Sequence, residues 1–107
     1  MVDLPVWDLG WLLQCNVNNP EFRDRDRAMT VALVKFLQEH GLLKTHFLED
    51  GEAAPNDLLI KESDLTKEGL AFQNSMAIDR WLRANDDIRK PLSIRSLERG
   101  LKAIRSS

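Results

Sequence analysis

Few residues of this 107-residue chain have types and spacing suited to catalysis. His40 and His46 are the two histidines, and neither stands in a His-x-x-x-His or Cys-x-x-Cys spacing, so no zinc set is expected. His40 is expected at a helix end, where an imidazolium favours the dipole, and His46 on the surface of a strand. Cys15 is the sole cysteine, has no base near it in sequence, and is read as a reduced cytoplasmic thiol. The five glycines are scattered and form no phosphate loop, and tyrosine is absent. Asp86-Asp87 reads as a solvated helix-end pair, with cation binding as its other reading. No acid, base and nucleophile converge, so no enzyme and no cofactor are expected.

Carboxylates are a different matter. Between Glu49 and Glu68 lie Glu49, Asp50, Glu52, Asp57, Glu62, Asp64 and Glu68, opposed only by Lys61 and Lys67, a balance of −5 over twenty residues. Residues 1–79 hold 14 acidic and 7 basic side chains, whereas residues 80–107 hold 3 acidic and 8 basic. A negative field of this kind draws a basic protein surface and speeds association at low salt. It repels nucleic acid, whose affinity comes largely from Lys and Arg neutralising phosphates. A solvated loop with no partner is the plainer reading of the same residues. The basic counterpart is Arg95, Arg99, Lys102 and Arg105 near the C-terminus.

The elements that would carry these groups can be read in part. The 43 % apolar and 30 % charged composition is that of a soluble globule, and no apolar run approaches the length of a membrane span. The first residues lack a basic and then apolar secretion signal, and one domain over 1–107 is expected. Residues 3–19 are expected to hold a short helix with Pro5 at its first position, docked through Trp7, Leu9, Trp11, Leu12 and Leu13. Asn19-Pro20-Glu21 opens a helix running to about His40, stopped by Gly41 with Leu42 folding back on Leu37. Residues 43–48 and 58–61 are read as two antiparallel strands joined by the loop 49–57, which carries Asp50-Gly51 and Pro55-Asn56-Asp57 turn chemistry.

Thr66 caps a long helix reaching past Trp81-Leu82-Arg83, with Leu65 and Leu70 placed to close a hydrophobic staple. Gly69 inside its first turn implies that something packs against the backbone there. Asn74 is expected on the buried face, and Phe72 and Met76 on the opposite side, as a second packing surface or an exposed contact patch. Ser93 caps the last helix. The whole is an α+β fold, mostly helical, with a small antiparallel hairpin. Its expected core is Trp11, Leu12, Phe22, Met29, Leu33, Phe36, Leu37, Phe47, Ile60, Leu65, Leu70, Ala77, Ile78, Trp81, Leu97, Leu101 and Ile104.

Two resemblances rest on these residues. Asp64-Leu65-Thr66-Lys67-Glu68-Gly69-Leu70 resembles the junction of winged-helix regulators, where a wing strand is followed by Leu-Thr-x-x-Gly and a long helix often used for dimerisation. Only one helix, residues 20–40, immediately precedes the hairpin, and its charges cancel, so DNA binding is not expected of this junction and a degenerate winged helix used for protein binding stays open. Leu65 to Ile104, with Leu-Thr-x-x-Gly, Asp79-Arg80-Trp81-Leu82-Arg83 and Leu97-Glu98-Arg99-x-Leu101, is similar to small bacterial immunity-type proteins of contact-dependent growth inhibition and type VI secretion. The second resemblance implies a cytoplasmic, non-catalytic inhibitor of one cognate toxin domain, frequently a nuclease. Its binding face would be Glu49, Asp50, Glu52, Asp57, Glu62 and Asp64, with Phe72 and Met76 as apolar anchors. The alternative is a regulatory module touching nucleic acid through Arg95, Arg99, Lys102 and Arg105. A membrane partner is not expected, and monomer and homodimer both stay open.

Overall fold

Asp8 sets how the chain begins. In the computed structural model, which describes residues 2–106, Pro5–Asp8 is an extended strand, β1, and Leu9–Cys15 a helix, α1. The Asp8 carboxylate accepts the Trp11 N–H at 3.1 Å, so the helix starts at this cap and not at Pro5. Proline is tolerated in a strand at the sheet edge, where its missing N–H breaks no ladder.

The remaining elements are α2 (Pro20–Glu39), β2 (Leu59–Lys61), a 3₁₀ turn (Glu62–Asp64), α3 (Lys67–Asn74), α4 (Ala77–Ala84) and α5 (Arg95–Ser106). The architecture is therefore α+β and mostly helical, with one small antiparallel sheet. That sheet is made differently from the expected hairpin. β2 pairs with β1, Trp7 opposite Ile60 and Asp8 opposite Leu59, with an irregularity between Pro5 and Trp7. Residues 43–48 supply only an isolated bridge, Leu43 to Leu65. Leu42, Leu43 and Leu48 are all buried, a demand that the alternating faces of a strand do not meet for two neighbouring leucines.

α2 ends as its sequence implies. Gly41 adopts φ +71°, Leu42 N–H donates to Leu37 O at 2.8 Å and Gly41 N–H to Gln38 O, the paired bonds of a Schellman stop. Asn19 precedes Pro20 at the other end but makes no side-chain cap bond.

The long helix expected after Thr66 is two helices. Thr66 Oγ1 accepts the Gly69 N–H at 3.1 Å, as a cap should. The helix then stops at Ser75, whose hydroxyl donates to Phe72 O at 2.6 Å, and Met76 takes φ +65° before α4 begins. The break has a packing consequence. On one straight helix Phe72 and Trp81, nine residues apart, would point to opposite sides at about 100° per residue. Here both are fully buried in the same cluster. Asn74, expected on the inner face, is exposed.

One buried cluster joins both strands and all five α-helices. Trp7 and Trp81 meet with ring centroids 5.9 Å apart, and Phe36 meets Phe72 at 5.8 Å. Of the expected core, Trp11 and Phe22 are exposed, whereas Leu12, Phe47, Leu70 and Ile104 pack at its margin. Trp7, Leu9, Leu13, Val34, Leu42, Leu48, Leu58 and Phe72 take the vacated interior positions. Asn85 holds the turn into α5. Its amide donates to Trp81 O and Ser93 O, both at 3.0 Å, and its carbonyl accepts the Ser93 N–H at 2.9 Å. Ser93 Oγ in turn accepts the Arg95 N–H at 3.2 Å at the start of α5. No helix among the described residues is long and apolar enough to cross a membrane.

Candidate protein-binding surface

The loop 49–57 is an ordered device built on α2. Its entrance is held by one side chain that the sequence did not single out. Gln38, in the last turn of α2, donates through Nε2 to Leu48 O at 2.6 Å and accepts the N–H groups of Phe47 and Leu48 through Oε1. A Glu49–Glu52 turn follows, closed by Glu52 N–H to Glu49 O at 3.1 Å, with Gly51 at φ +78°. Gly51 stands third in this turn, where type II geometry requires a positive φ. Ala54 is buried beneath the loop, and a second turn runs from Pro55 to Leu58. At the exit Arg27 donates from Nε and Nη2 to Asn56 Oδ1 at 3.4 and 3.3 Å. Gln38 and Arg27 lie eleven residues apart on α2, a rise of about 16 Å, so the loop runs along the flank of that helix.

Glu49, Asp50, Glu52 and Asp57 are all exposed on this loop. None of them forms an ion pair or a side-chain hydrogen bond among the described residues; the ion pairs are Arg27–Asp24, Arg89–Asp87 and Arg105–Glu68. The C-terminal helix therefore neutralises Glu68 but not the loop. Glu62 and Asp64 do other work. Glu62 Oε1 accepts the Leu4 N–H at 3.3 Å, and Asp64 Oδ2 accepts the Lys61 N–H at 2.8 Å, so both shape the chain after β2. Beside them Asp3 accepts the Ser63 N–H at 3.0 Å and its hydroxyl at 2.5 Å, bonds that hold the Asp3 carboxyl below its ordinary pKa.

The two expected apolar anchors separate. Phe72 is completely buried and cannot meet a partner. Met76 is 53 % exposed, but at the α3–α4 break, where α3 and α4 pack on each other and on α5. Arg95, Arg99, Lys102 and Arg105 are exposed on α5. Arg105 is occupied there: it donates to Glu68 Oε1 at 2.6 Å and to His40 O at 3.0 Å.

No family model, no curated protein and no solved structure matches this chain. The site must be judged on its own groups. His40 stacks on Phe36 with centroids 4.5 Å apart, while His46 and Cys15 are exposed. No group of three or more His, Cys, Asp or Glu among the described residues is arranged to hold a metal ion. What the surface can do is present fixed negative charge.

That fixity depends on Gln38. Gln38→Ala leaves the N–H groups of Phe47 and Leu48 and the Leu48 carbonyl without their partner, a loss of about 1–3 kcal/mol. Amide hydrogen exchange is expected to quicken at residues 47–52 well before α5 is affected. Uniform quickening throughout the chain would show that Gln38 serves global stability only.

Proposed function

We propose that this chain is a non-catalytic binding protein of the immunity type, which neutralises a cognate toxin domain by laying the loop 49–57 on a basic protein surface. The observation that carries this is the set of four exposed carboxylates without an ion-pair partner among the described residues, on a loop pinned at both ends. Pinning matters because a loop already ordered before binding loses less conformational freedom in the complex. Carboxylates at such a rim act chiefly on the association rate, and they suit a target that has evolved to grip phosphate. The immunity type is named on the motif resemblance of Leu65–Ile104 alone, and the lone thiol suits a cytoplasmic setting.

The test is a charge reversal, Glu49→Lys with Asp50→Lys and Glu52→Lys, measured by stopped-flow association with the purified cognate toxin domain. The association rate at low salt is expected to fall by a factor on the order of 10 to 100, and its salt dependence to flatten. An unchanged rate and an unchanged salt slope remove the loop from the mechanism.

One observation favours a second reading. Arg95, Arg99 and Lys102 are exposed on one side of α5 with side chains unpaired among the described residues. Nucleic-acid binding there would weaken steeply with salt. The absence of any gel shift at low salt would exclude it. The strand pairing of 43–48 with 58–61 that a wing would need is not formed, so this second reading rests on α5 alone.

A further inference from the structure

The three tryptophans are of two kinds. Trp7 and Trp81 are buried, and each indole N–H has an acceptor at 2.8 Å, Thr30 Oγ1 and Ser93 O respectively. Trp11 is 62 % exposed, and its indole N–H has no acceptor among the described residues. The backbone beneath it is nevertheless fixed. Asp8 caps the turn through the Trp11 N–H, Leu9 and Leu13 are buried, and Leu9 N–H donates to Leu58 O at 3.0 Å.

This turn of α1 adjoins the exit of the acidic loop. A Cβ added at Gly10 would stand 3.4 Å from Asn56 O, so Asn56 and Leu58, on either side of Asp57, both lie against the residues that precede Trp11. The cation nearest by bonding, Arg27, is shared between Asn56 and Asp24. A large exposed indole on a capped, hydrogen-bonded turn thus adjoins the exit of a loop whose four carboxylates have no ion-pair partner among the described residues. We infer that Trp11 is the apolar anchor of this surface, and that its partner is a protein face with an apolar slot rimmed by Lys and Arg.

This inference rests on the binding function proposed above and adds the contact that would give the complex its lifetime. Tryptophan is the residue type most enriched among those that dominate interfaces, because it removes a large apolar area from water with few rotatable bonds. The carboxylates complement a cationic rim. They disfavour a phosphate backbone and an anionic membrane surface alike.

The experiment titrates the ¹⁵N-labelled full chain with an amphipathic Lys/Leu helical peptide and with a Lys/Gln peptide of equal charge. The indole N–H signals are followed. The Trp11 signal is expected to shift while those of Trp7 and Trp81 stay, with the Lys/Leu peptide bound about tenfold more tightly than the Lys/Gln peptide. Trp11→Ala should abolish that preference, keep the Lys/Gln affinity and keep the melting temperature. If Trp11→Ala binds Lys/Leu as tightly as the wild type, while reversal at Glu49, Asp50 and Glu52 weakens both peptides, the anchor is wrong and the acidic surface stands. If the reversal weakens neither peptide, the basic partner is wrong as well. An indole signal that stays unmoved under the Lys/Leu peptide overturns the inference. So does a Trp11 fluorescence shift on zwitterionic vesicles, which would point to lipid, or self-association that Trp11→Ala abolishes, which would point to a second copy.

Discussion

Gly69→Ala is expected to lower the unfolding free energy by about 2–3 kcal/mol, although Ala is the better helix former by about 1 kcal/mol. The sign is decided by space. A Cβ at position 69 would fall on the carbonyl oxygen of Leu42 and stand 3.1 Å from both the Leu42 carbonyl carbon and Leu65 Cβ. That oxygen is not free to swing away, because it accepts the Thr66 N–H at 3.0 Å, and Leu42 itself is buried. The strain must therefore be taken up by backbone on both sides. The melting temperature is expected to drop by roughly 10–20 °C. Ala71→Gly, at an exposed position of the same helix, serves as control and should lose only about 1 kcal/mol. If Gly69→Ala melts at or above the wild-type temperature, α3 and the α2 stop are not in the close contact described.

Trp81→Ala is the second large effect, expected at about 3–5 kcal/mol from the lost apolar contact and the cavity left behind. Trp81 is fully buried, stacks obliquely on Trp7 and donates its indole N–H to Ser93 O. Its backbone carbonyl also accepts from Asn85, so the cavity opens beside the clamp that turns α4 into α5. Trp81→Phe keeps part of the volume but not the N–H, and Ser93 O would still accept from Asn85; its loss should be clearly smaller. Urea denaturation of both variants gives the comparison. A loss below about 1.5 kcal/mol for Trp81→Ala would mean that the neighbouring helices collapse into the space. Against the total of about 5–15 kcal/mol typical of a domain, either Gly69→Ala or Trp81→Ala would remove a large share of the stability.

These two positions also show how far the sequence could be read. Gly69 drew attention because a glycine in a first helical turn needs a reason, and the reason, a backbone against its Cα, is there. Trp81 was placed in the core by its helical spacing, and it is there too. Trp7 and Trp11 could not be told apart in this way. Four residues apart, they would share one face of a single helix, but Asp8 turns strand into helix between them, so one enters the core and the other faces solvent. Helical spacing sets Phe72 opposite the buried face for a related reason. Its phase was counted along an unbroken helix, and the break at Ser75–Met76 redirects everything after it.

The acidic loop was visible as a run of carboxylates between two turn signals. Its support was not, because Gln38 is a polar residue on a helix end until Phe47 and Leu48 are seen to need it.

What the sequence by itself determined is local. The Thr66 cap, the Gly41 stop, the start of α2 at Pro20, the helical majority and the unbalanced charge of residues 49–57 follow from neighbours a few residues apart. Only the tertiary structure decided the non-local matters. It chose β1 over residues 43–48 as the partner of β2, buried Phe72, and left Trp11 in solvent on the turn that adjoins the exit of the acidic loop. The physical reason is that a strand pairs with whatever edge the packed core leaves beside it. A large side chain, in the same way, is buried only where the neighbouring elements leave a space of its shape, and neither condition is written within a few residues of the position it governs.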